Sequence, residues 1–545
     1  ARRWCSYPYH YRVSHSQGLA SGWSVIDASQ LTATLDLEAD VVIVGTGAGG
    51  GVTADILTKA GLSVVMVEEG PLRSSQDFKM READAYPQLY QESAARKTRD
   101  KAINILQGRC VGGSTTVNWT SSFRTPPSTL AFWQQHCALP ELAPDKLAPW
   151  FEAMERRLRI QPWPLPPNEN NDLLRRGAAR LAIPVASIRR NVRGCWDLGY
   201  CGTGCPTNAK QSMLVSTIPS ALERGARLLT RLRAERLLWE GERVVALDGR
   251  AMQPDGIHAG ELRVRVRARH FVLAGGAIGS PALLLRSRAP DPRDLTGRRT
   301  FLHPTVICAA LMEQPVGGYS GAPQSVYSDH FLDQTPIDGP LGFKLEAPPL
   351  HPVLFATTLH GYGEQHARLM REFAHAHALI ALLRDGFHPE SPGGRVLLRS
   401  DGTPVLDYPL NEFFWEGARR ALLTMAEIQF AAGARMVYVV HEQCGGYASW
   451  RDAKNGIERL PLRPLLTRVV SAHVMGGCAM SDDPALGVVD SRGRHHHLSN
   501  VSIVDGSVFP TSIGANPQLS IYGLSARNAS LLAQDLTGRA APVIV

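Results

Sequence analysis

"ADVVIVGTGAGGGVTADILTKAGLSVVMVEEG", Ala39 to Gly70, decides the fold. Four β-branched residues, Val41 to Val44, run into a glycine turn, a helical segment follows, and a second apolar run, Val64 to Val67, ends in Glu68. That order predicts a strand, turn, helix and strand unit. Gly45, Gly47 and Gly50 form G-x-G-x-x-G: the first for a tight turn, the second to let backbone approach a pyrophosphate, the third for close helix packing. The helix N-terminus adds positive potential, and Glu68 stands where an acid accepts hydrogen bonds from a ribose. The glycines alone are a weak signal, but following a strand and closed by an acid they specify a dinucleotide site. NAD and FAD share the fingerprint, so it leaves the cofactor open.

Around this unit the composition is that of a large globular enzyme. In 545 residues, 44 % are hydrophobic and 20 % charged, and no apolar run approaches the roughly 20 residues of a membrane span. The net charge of +8 is spread along the chain without an aromatic-interleaved basic stripe, which speaks against a nucleic-acid partner. It reads as a solvated face, with attraction to an anionic membrane surface as the alternative. Nine scattered cysteines do not form a secreted disulfide framework. The opening "ARRWCSYPYHYRV" has no apolar core or cleavage site, so no signal peptide is expected, and residues 1–36 are taken as an N-terminal extension. The expected location is cytoplasmic or peripherally membrane-associated.

Three further stretches decide the cofactor. "GRCVGGSTTVNWTSSFRTP" (Gly108 to Pro126), "FVLAGGAIGSPALLLRSRAP" (Phe271 to Pro290) and "SAHVMGGCAM" with "LSNVSIVDGSVFPTSIGANPQLSIYGLSARNASLLAQDL" resemble the signatures of the glucose-methanol-choline (GMC) oxidoreductases, in that family's order. The resemblance implies an α/β fold: a Rossmann-like FAD-binding domain assembled from residues 37–75, 220–310 and 470–540, and a substrate domain built on a β-sheet from 76–219 and 311–469. It also implies flavin contacts at Gly112, Gly113, Ser114 and Asn118, at Asp505 and Gly506, and at Pro517 and Gln518, where a helix would begin facing the flavin. Covalent members carry a histidine near the second signature; "GGSTTVNW" has none, so the FAD is expected to be dissociable.

Oxidising an alcohol needs a base, a hydride acceptor and a group that holds the developing alkoxide. By resemblance the base is His473 in "HVMGGCAM" and its partner Asn516 in "GANPQLS". An amide cannot take a proton, so base chemistry falls to His473, with Asn516 orienting the substrate oxygen. His303, His360 and the exposed-looking run His495 to His497 are read as ordinary core or surface histidines.

"CWDLGYCGTGCP" sets Cys195, Cys201 and Cys205 at C-x5-C-x3-C. Spacing leaves zinc, a disulfide and iron-sulfur ligation open. Three thiolates suit a 3Fe-4S cluster, and the spacing resembles the catalytic subunit of bacterial FAD-dependent glucose dehydrogenases, where such a cluster passes electrons toward a cytochrome. The same stretch also resembles the long-chain alcohol oxidase and dehydrogenase branch, for which no cluster is expected, and there the thiols only pack or pair.

The substrate expectation follows the second likeness. "GWSVIDASQLTATLDLEADVVIVGTGAGGG" and "EEGPLRSSQDFKM" resemble the fatty-alcohol members, which implies oxidation of a medium- to long-chain aliphatic primary alcohol to its aldehyde, with oxygen, a quinone or a cytochrome as acceptor. The alternatives are a sugar or polyol dehydrogenase working through a cluster, a redox-inactive lyase of the same family, and a flavin subunit closed to substrate. Between about residues 305 and 470 the signatures stop, and "GFKLEAPPLHPVLFATTLHGYGEQHARLMREFAHAHALIALLRDG" could line an apolar tunnel or form plain core.

Overall fold

A computed structural model describes residues 15–539, so Cys5 and most of the arginine-bearing opening segment lie outside the described residues. The elements that position the site are, along the chain, β1 (Leu35–Val44), α1 (Ala48–Lys59), β2 (Val64–Val67), β3 (Arg227–Thr230), β4 (Ala259–Leu273), α2 (Gly276–Arg286), β5 (Thr305–Met312), β6 (Phe343–Glu346), β7 (Ala376–Leu383), β8 (Ala434–Val439), β9 (Val469–Ser471), β10 (Val501–Ile503) and α3 (Gln518–Thr537).

The first of two eight-stranded sheets has parallel β3, β2, β1, β4 and β10 at its centre. Val41, Val42, Ile43 and Val44 are buried, as are all four residues of β2, because α1 and α3 cover a face that a one-sided sheet would leave wet. Each such side chain contributes about 1.5–3 kcal/mol on burial. An antiparallel hairpin, Leu232–Glu240 and Arg243–Met252, extends one edge through β4. At the other edge, Ser24–Asp27 pairs with β3, so part of the expected N-terminal extension belongs to this sheet.

The second sheet is mostly antiparallel, in the order Ile103–Ile105, β9, β5, β7, β6, Val326–Ser328, Ala186–Ser187, with β8 also on β5. The alternation of strand side chains divides it cleanly. Val306, Cys308 and Ala310 of β5, with Leu379, Ala381 and Leu383 of β7, point into a core shared with the long helix Glu412–Ala431. Thr305, Ile307 and Ala309, which pair with Leu382, Ile380 and Ala378, face a cavity on the other side. Among the described residues no helix is long and apolar enough to cross a membrane.

Three turns press backbone against backbone. A Cβ on Gly50 would lie 2.0 Å from the Gly45 carbonyl oxygen, and one on Gly49 would lie 1.8 Å from that of Val504. Gly45 itself sits at φ +99°, against the carbonyl of Ala274. Overpacking of this kind costs about 1–3 kcal/mol or more. Gly50→Ala should therefore lower both the thermal midpoint and the flavin content of purified protein, whereas Gly445→Ala, away from the cavity and with nothing within 4 Å of its Cβ, should leave both near wild type. Equal behaviour of the two variants would remove the close-approach account.

Candidate active site

A cavity of about 1520 Å³ lies between the two sheets and receives most of the expected cofactor residues: Gly45, Gly47, Glu68, Gly113, Ser114, Asn118, Asp505, Gly506, Pro517 and Gln518. Gly50 and Gly112 stand just behind that wall, Gly50 against Gly45 and Gly112, at φ +88°, against Thr116 and Leu214.

The dinucleotide end fits FAD. The helix α1 starts at Gly47 with no side-chain cap, leaving its first amides open toward the cavity. A Cβ on Gly113 would lie 2.8 Å from Cα of Gly47, so the first two glycine turns touch only because both lack side chains. Glu68 Oε2 accepts from the Thr46 amide (3.1 Å) and hydroxyl (2.6 Å), and Oε1 from the Gly70 amide (2.9 Å). These bonds aim a carboxylate at the cavity; Oε2 is filled by two donors, and Oε1 keeps a lone pair for a ribose hydroxyl. Burial pushes its pKa up, and those hydrogen bonds oppose the rise.

Asp505 does something the sequence did not announce. Its Oδ2 accepts from the Gly276 amide (2.8 Å) and the Ser280 hydroxyl (2.5 Å), and its Oδ1 from the Ser507 amide (2.8 Å), pinning the glycine turn before α2 to the turn after β10. Gln518 is similarly occupied. It accepts from Asn118 Nδ2 (2.7 Å) and Tyr522 Oη (3.0 Å) and donates to Ser121 O (2.8 Å), so it ties the start of α3 to the second signature. What this corner offers a flavin is therefore the uncapped start of α3 behind Pro517.

His473 and Asn516 meet at the junction of the sheets. His473 Nε2 lies 3.5 Å from Asn516 Nδ2, and both residues line the cavity. Asn516 Nδ2 also faces Glu346 Oε2 at 3.4 Å, an oxygen that accepts from Gln324 Nε2 at 2.5 Å. Lys344 lies 3.9 Å from the other Glu346 oxygen and 3.0 Å from the centre of the Phe123 ring. Burial, reinforced by the Lys344 ammonium, pushes His473 down to about 3. The imidazole is uncharged at neutral pH.

His303, expected to be an ordinary histidine, belongs to this site. Its Nδ1 lies 3.2 Å from His473 Nδ1, and its Nε2 accepts from the Gly514 amide at 3.0 Å. Its backbone, at φ +44°, is held by Asp385, whose Oδ1 accepts from the His303 amide (3.1 Å) and whose Oδ2 accepts from the Leu302 amide (3.0 Å) and Tyr408 (2.7 Å). "FLHP" offered no periodic signal, since the contact spans 170 residues of sequence. The run His495 to His497 is not exposed as expected: His495 is buried, and its Nδ1 caps the amides of His497 and Leu498.

Each of the three clustered cysteines has a hydrogen-bond partner of its own. Cys195 Sγ accepts from the Asp197 amide (3.4 Å), Cys201 Sγ takes an Arg190 guanidinium N–H (3.7 Å), and Cys205 Sγ pairs with Thr207 Oγ1 (3.5 Å). All three are free thiols, and among the described residues no group of three or more His, Cys, Asp or Glu side chains is placed to hold a metal. As placed here, the three thiols do not assemble a 3Fe-4S site. The loop is instead latched to the cofactor side: Lys210 Nζ donates to the carbonyls of Asn118 and Cys201, both at 2.8 Å, and Tyr90 donates to the Gly202 carbonyl at 2.6 Å.

A GMC oxidoreductase family model matches residues 86–305, and a second with the same description matches 389–525. The chain belongs to the GMC oxidoreductase family. GMC oxidoreductases are FAD-dependent enzymes that act on alcohols, and this chain is one of them. Its relatives include an uncharacterized GMC-type oxidoreductase of Sinorhizobium fredii, 29 % identical over 92 % of this chain and 95 % of its own length. The long-chain-alcohol oxidase FAO4A of Arabidopsis thaliana is 27 % identical over 94 % of this chain and 70 % of its own. Among solved structures, Aspergillus oryzae formate oxidase superposes with a TM-score of 0.69 at 14 % identity, covering 93 % of this chain and all of that one. Pyridoxine 4-oxidase gives 0.64 at 20 % identity, covering 90 % and 98 %. These last two likenesses concern the fold.

Neutral histidines held in the fold should cost this GMC oxidoreductase stability in acid. Burial also lowers His303, well below its ordinary value, and His377, to about 3. Below about pH 6.5 the unfolded chain binds protons that the folded one refuses, so stability falls as pH falls, by up to about 1.4 kcal/mol per unit for each histidine. The thermal midpoint should drop steadily from pH 6.5 to 4.5, less steeply in His473→Gln. Parallel slopes would contradict the burial account.

Proposed function

We propose that this enzyme oxidises medium- to long-chain primary aliphatic alcohols to aldehydes. The observation that carries the reading is the apolar floor leading to the His473 and Asn516 pair. Ile307, Ala309, Ile380, Val440 and Val470 form that floor, and Thr305 is the polar side chain among the cavity-facing residues of β5 and β7. A second apolar wall, Leu350, Val353, Leu354, Phe355 and Leu359, on and beside the helix Pro352–Thr358, also lines the cavity and packs at its edge on Ala378. The start of that helix is held by Glu82, whose carboxylate accepts from the amides of Val353 (2.6 Å) and Leu354 (2.7 Å). An alkyl chain lying between these walls gains about 0.8 kcal/mol for each methylene removed from water. A polyol in the same place would leave its hydroxyls unpaired, at a cost of about 1–3 kcal/mol each. The likeness to long-chain-alcohol oxidases points the same way.

FAD, held without a covalent link by Glu68 and the uncapped starts of α1 and α3, would supply the hydride acceptor. His473 and Asn516 bracket the substrate oxygen, and His473, kept uncharged by burial, takes up the hydroxyl proton as the hydride leaves. Lys344 adds positive potential that favours the developing alkoxide. The division into a flavin domain of 37–75, 220–310 and 470–540 and a substrate domain from the remainder belongs to this proposal, supported by β1, β2, β4 and β10 sharing one sheet.

Anaerobic flavin bleaching by a series from ethanol to dodecanol tests the reading. The apparent second-order rate constant of reduction should rise with chain length, by about four-fold per methylene where burial is complete. A flat series would remove the aliphatic substrate, and bleaching by sugars alone would transfer the enzyme to the polyol class. No bleaching by any alcohol would favour the lyase.

A further inference from the structure

We propose that His303 is a positioning residue that fixes the proton of His473 on Nε2, so that the resting site presents a hydrogen-bond donor beside an acceptor, the complement of an alcohol hydroxyl. The inference rests on the alcohol-oxidising reading above for its meaning, though not for its test.

The argument begins at a backbone amide, because an N–H can only donate. The Gly514 amide donates to His303 Nε2 at 3.0 Å, so this nitrogen carries a lone pair and the proton of neutral His303 sits on Nδ1. That proton points at His473 Nδ1, 3.2 Å away, which must accept it. The proton of neutral His473 is thereby assigned to Nε2. The opposite arrangement would set the Gly514 amide against a His303 Nε2–H, leaving a buried donor unpaired at a cost of about 1–3 kcal/mol.

Asn516 supplies the other half. Its Nδ2 faces the Glu346 carboxylate, which takes a donor, so Oδ1 faces away from Glu346 and has no hydrogen-bond partner although it is buried. His473 Nε2 and Asn516 Nδ2 are then both donors, and their 3.5 Å separation is not a hydrogen bond between them. The His473 Nε2–H on the cavity wall and the buried Asn516 Oδ1 remain unused at the mouth of the apolar floor. A hydroxyl oxygen accepts from His473 Nε2–H while its own proton goes to Asn516 Oδ1, and both vacancies are filled by one group. A ketone or aldehyde satisfies the donor alone, which favours product release. For His473 to take up the hydroxyl proton at Nε2, the two histidines must first exchange to the opposite tautomers, giving up the Gly514 bond. His303 therefore also determines how readily His473 reaches its proton-accepting form.

The test is a two-bond ¹H–¹⁵N correlation spectrum of the FAD-loaded protein with ¹⁵N-labelled histidine, at pH 7.5 without substrate, with resonances assigned by His303→Asn and His473→Gln. Wild type should show His473 protonated at Nε2 and bare at Nδ1, and His303 the reverse. Asn tolerates the left-handed backbone of position 303 but is too short to span from Gly514 to His473, so in His303→Asn the His473 signals should move to an average of both tautomers. A wild-type His473 protonated at Nδ1, or a His473 pattern unchanged in His303→Asn, would overturn the assignment. If His303→Asn does not fold, the wild-type spectrum alone decides. Because no turnover is involved, a failure of the alcohol reading leaves this result standing, and the reverse also holds.

Discussion

Everything about this site depends on peptide backbone lying directly on peptide backbone where the glycine-rich turns converge. Gly45 packs on the Ala274 carbonyl, Gly49 on that of Val504, and Gly113 on Gly47, each at a separation that a methyl group would close. Those contacts leave an open helix end and a wall of main-chain amides where a pyrophosphate is to lie. The Asp505 carboxylate locks two of the turns together through three hydrogen bonds. A buried carboxylate with a raised pKa is costly, and here its acceptor capacity is largely spent on holding loops.

The second sheet places the chemistry. Its strand β9 delivers the chain to His473, and the Ser471 hydroxyl fastens that turn by donating to the Leu302 carbonyl (2.6 Å) while accepting from the His473 amide (3.2 Å). Leu302 and His303 are in turn held by Asp385, so both histidines sit on bends whose backbone hydrogen bonds are satisfied locally. The consequence is an imidazole pair on locally satisfied bends, both pushed toward the uncharged form, next to a lysine that burial pushes down to about 8. Such a site handles a proton without first shedding one to solvent, and it needs no movement of the main chain to do so.

Much of this was legible in the sequence where the signal is local. The first strand, turn, helix and second strand fall where the β-branched runs and glycines place them, and α3 begins at Gln518 as expected. The strand β1 is longer than its apolar run, because Leu35–Ala39 pair with β4, a partner more than 200 residues away. His303 and Glu82 were invisible for the same reason: each works through a contact with a distant segment, and neither lies in a periodic pattern. At the cysteine loop the spacing suits a cluster, no metal-holding group is assembled there among the described residues, and what the contacts show is the Lys210 and Tyr90 latch on the cofactor wall.

The central claim is that His473 accepts the alcohol's proton within an intact flavin site, and single-turnover reduction measures it directly. His473→Ala protein should be purified with its FAD, mixed anaerobically with saturating dodecanol, and followed by the loss of oxidised-flavin absorbance. The account predicts full flavin content and a reduction rate about two to four orders of magnitude below wild type, the size of a lost general base. Reduction at the wild-type rate would contradict it.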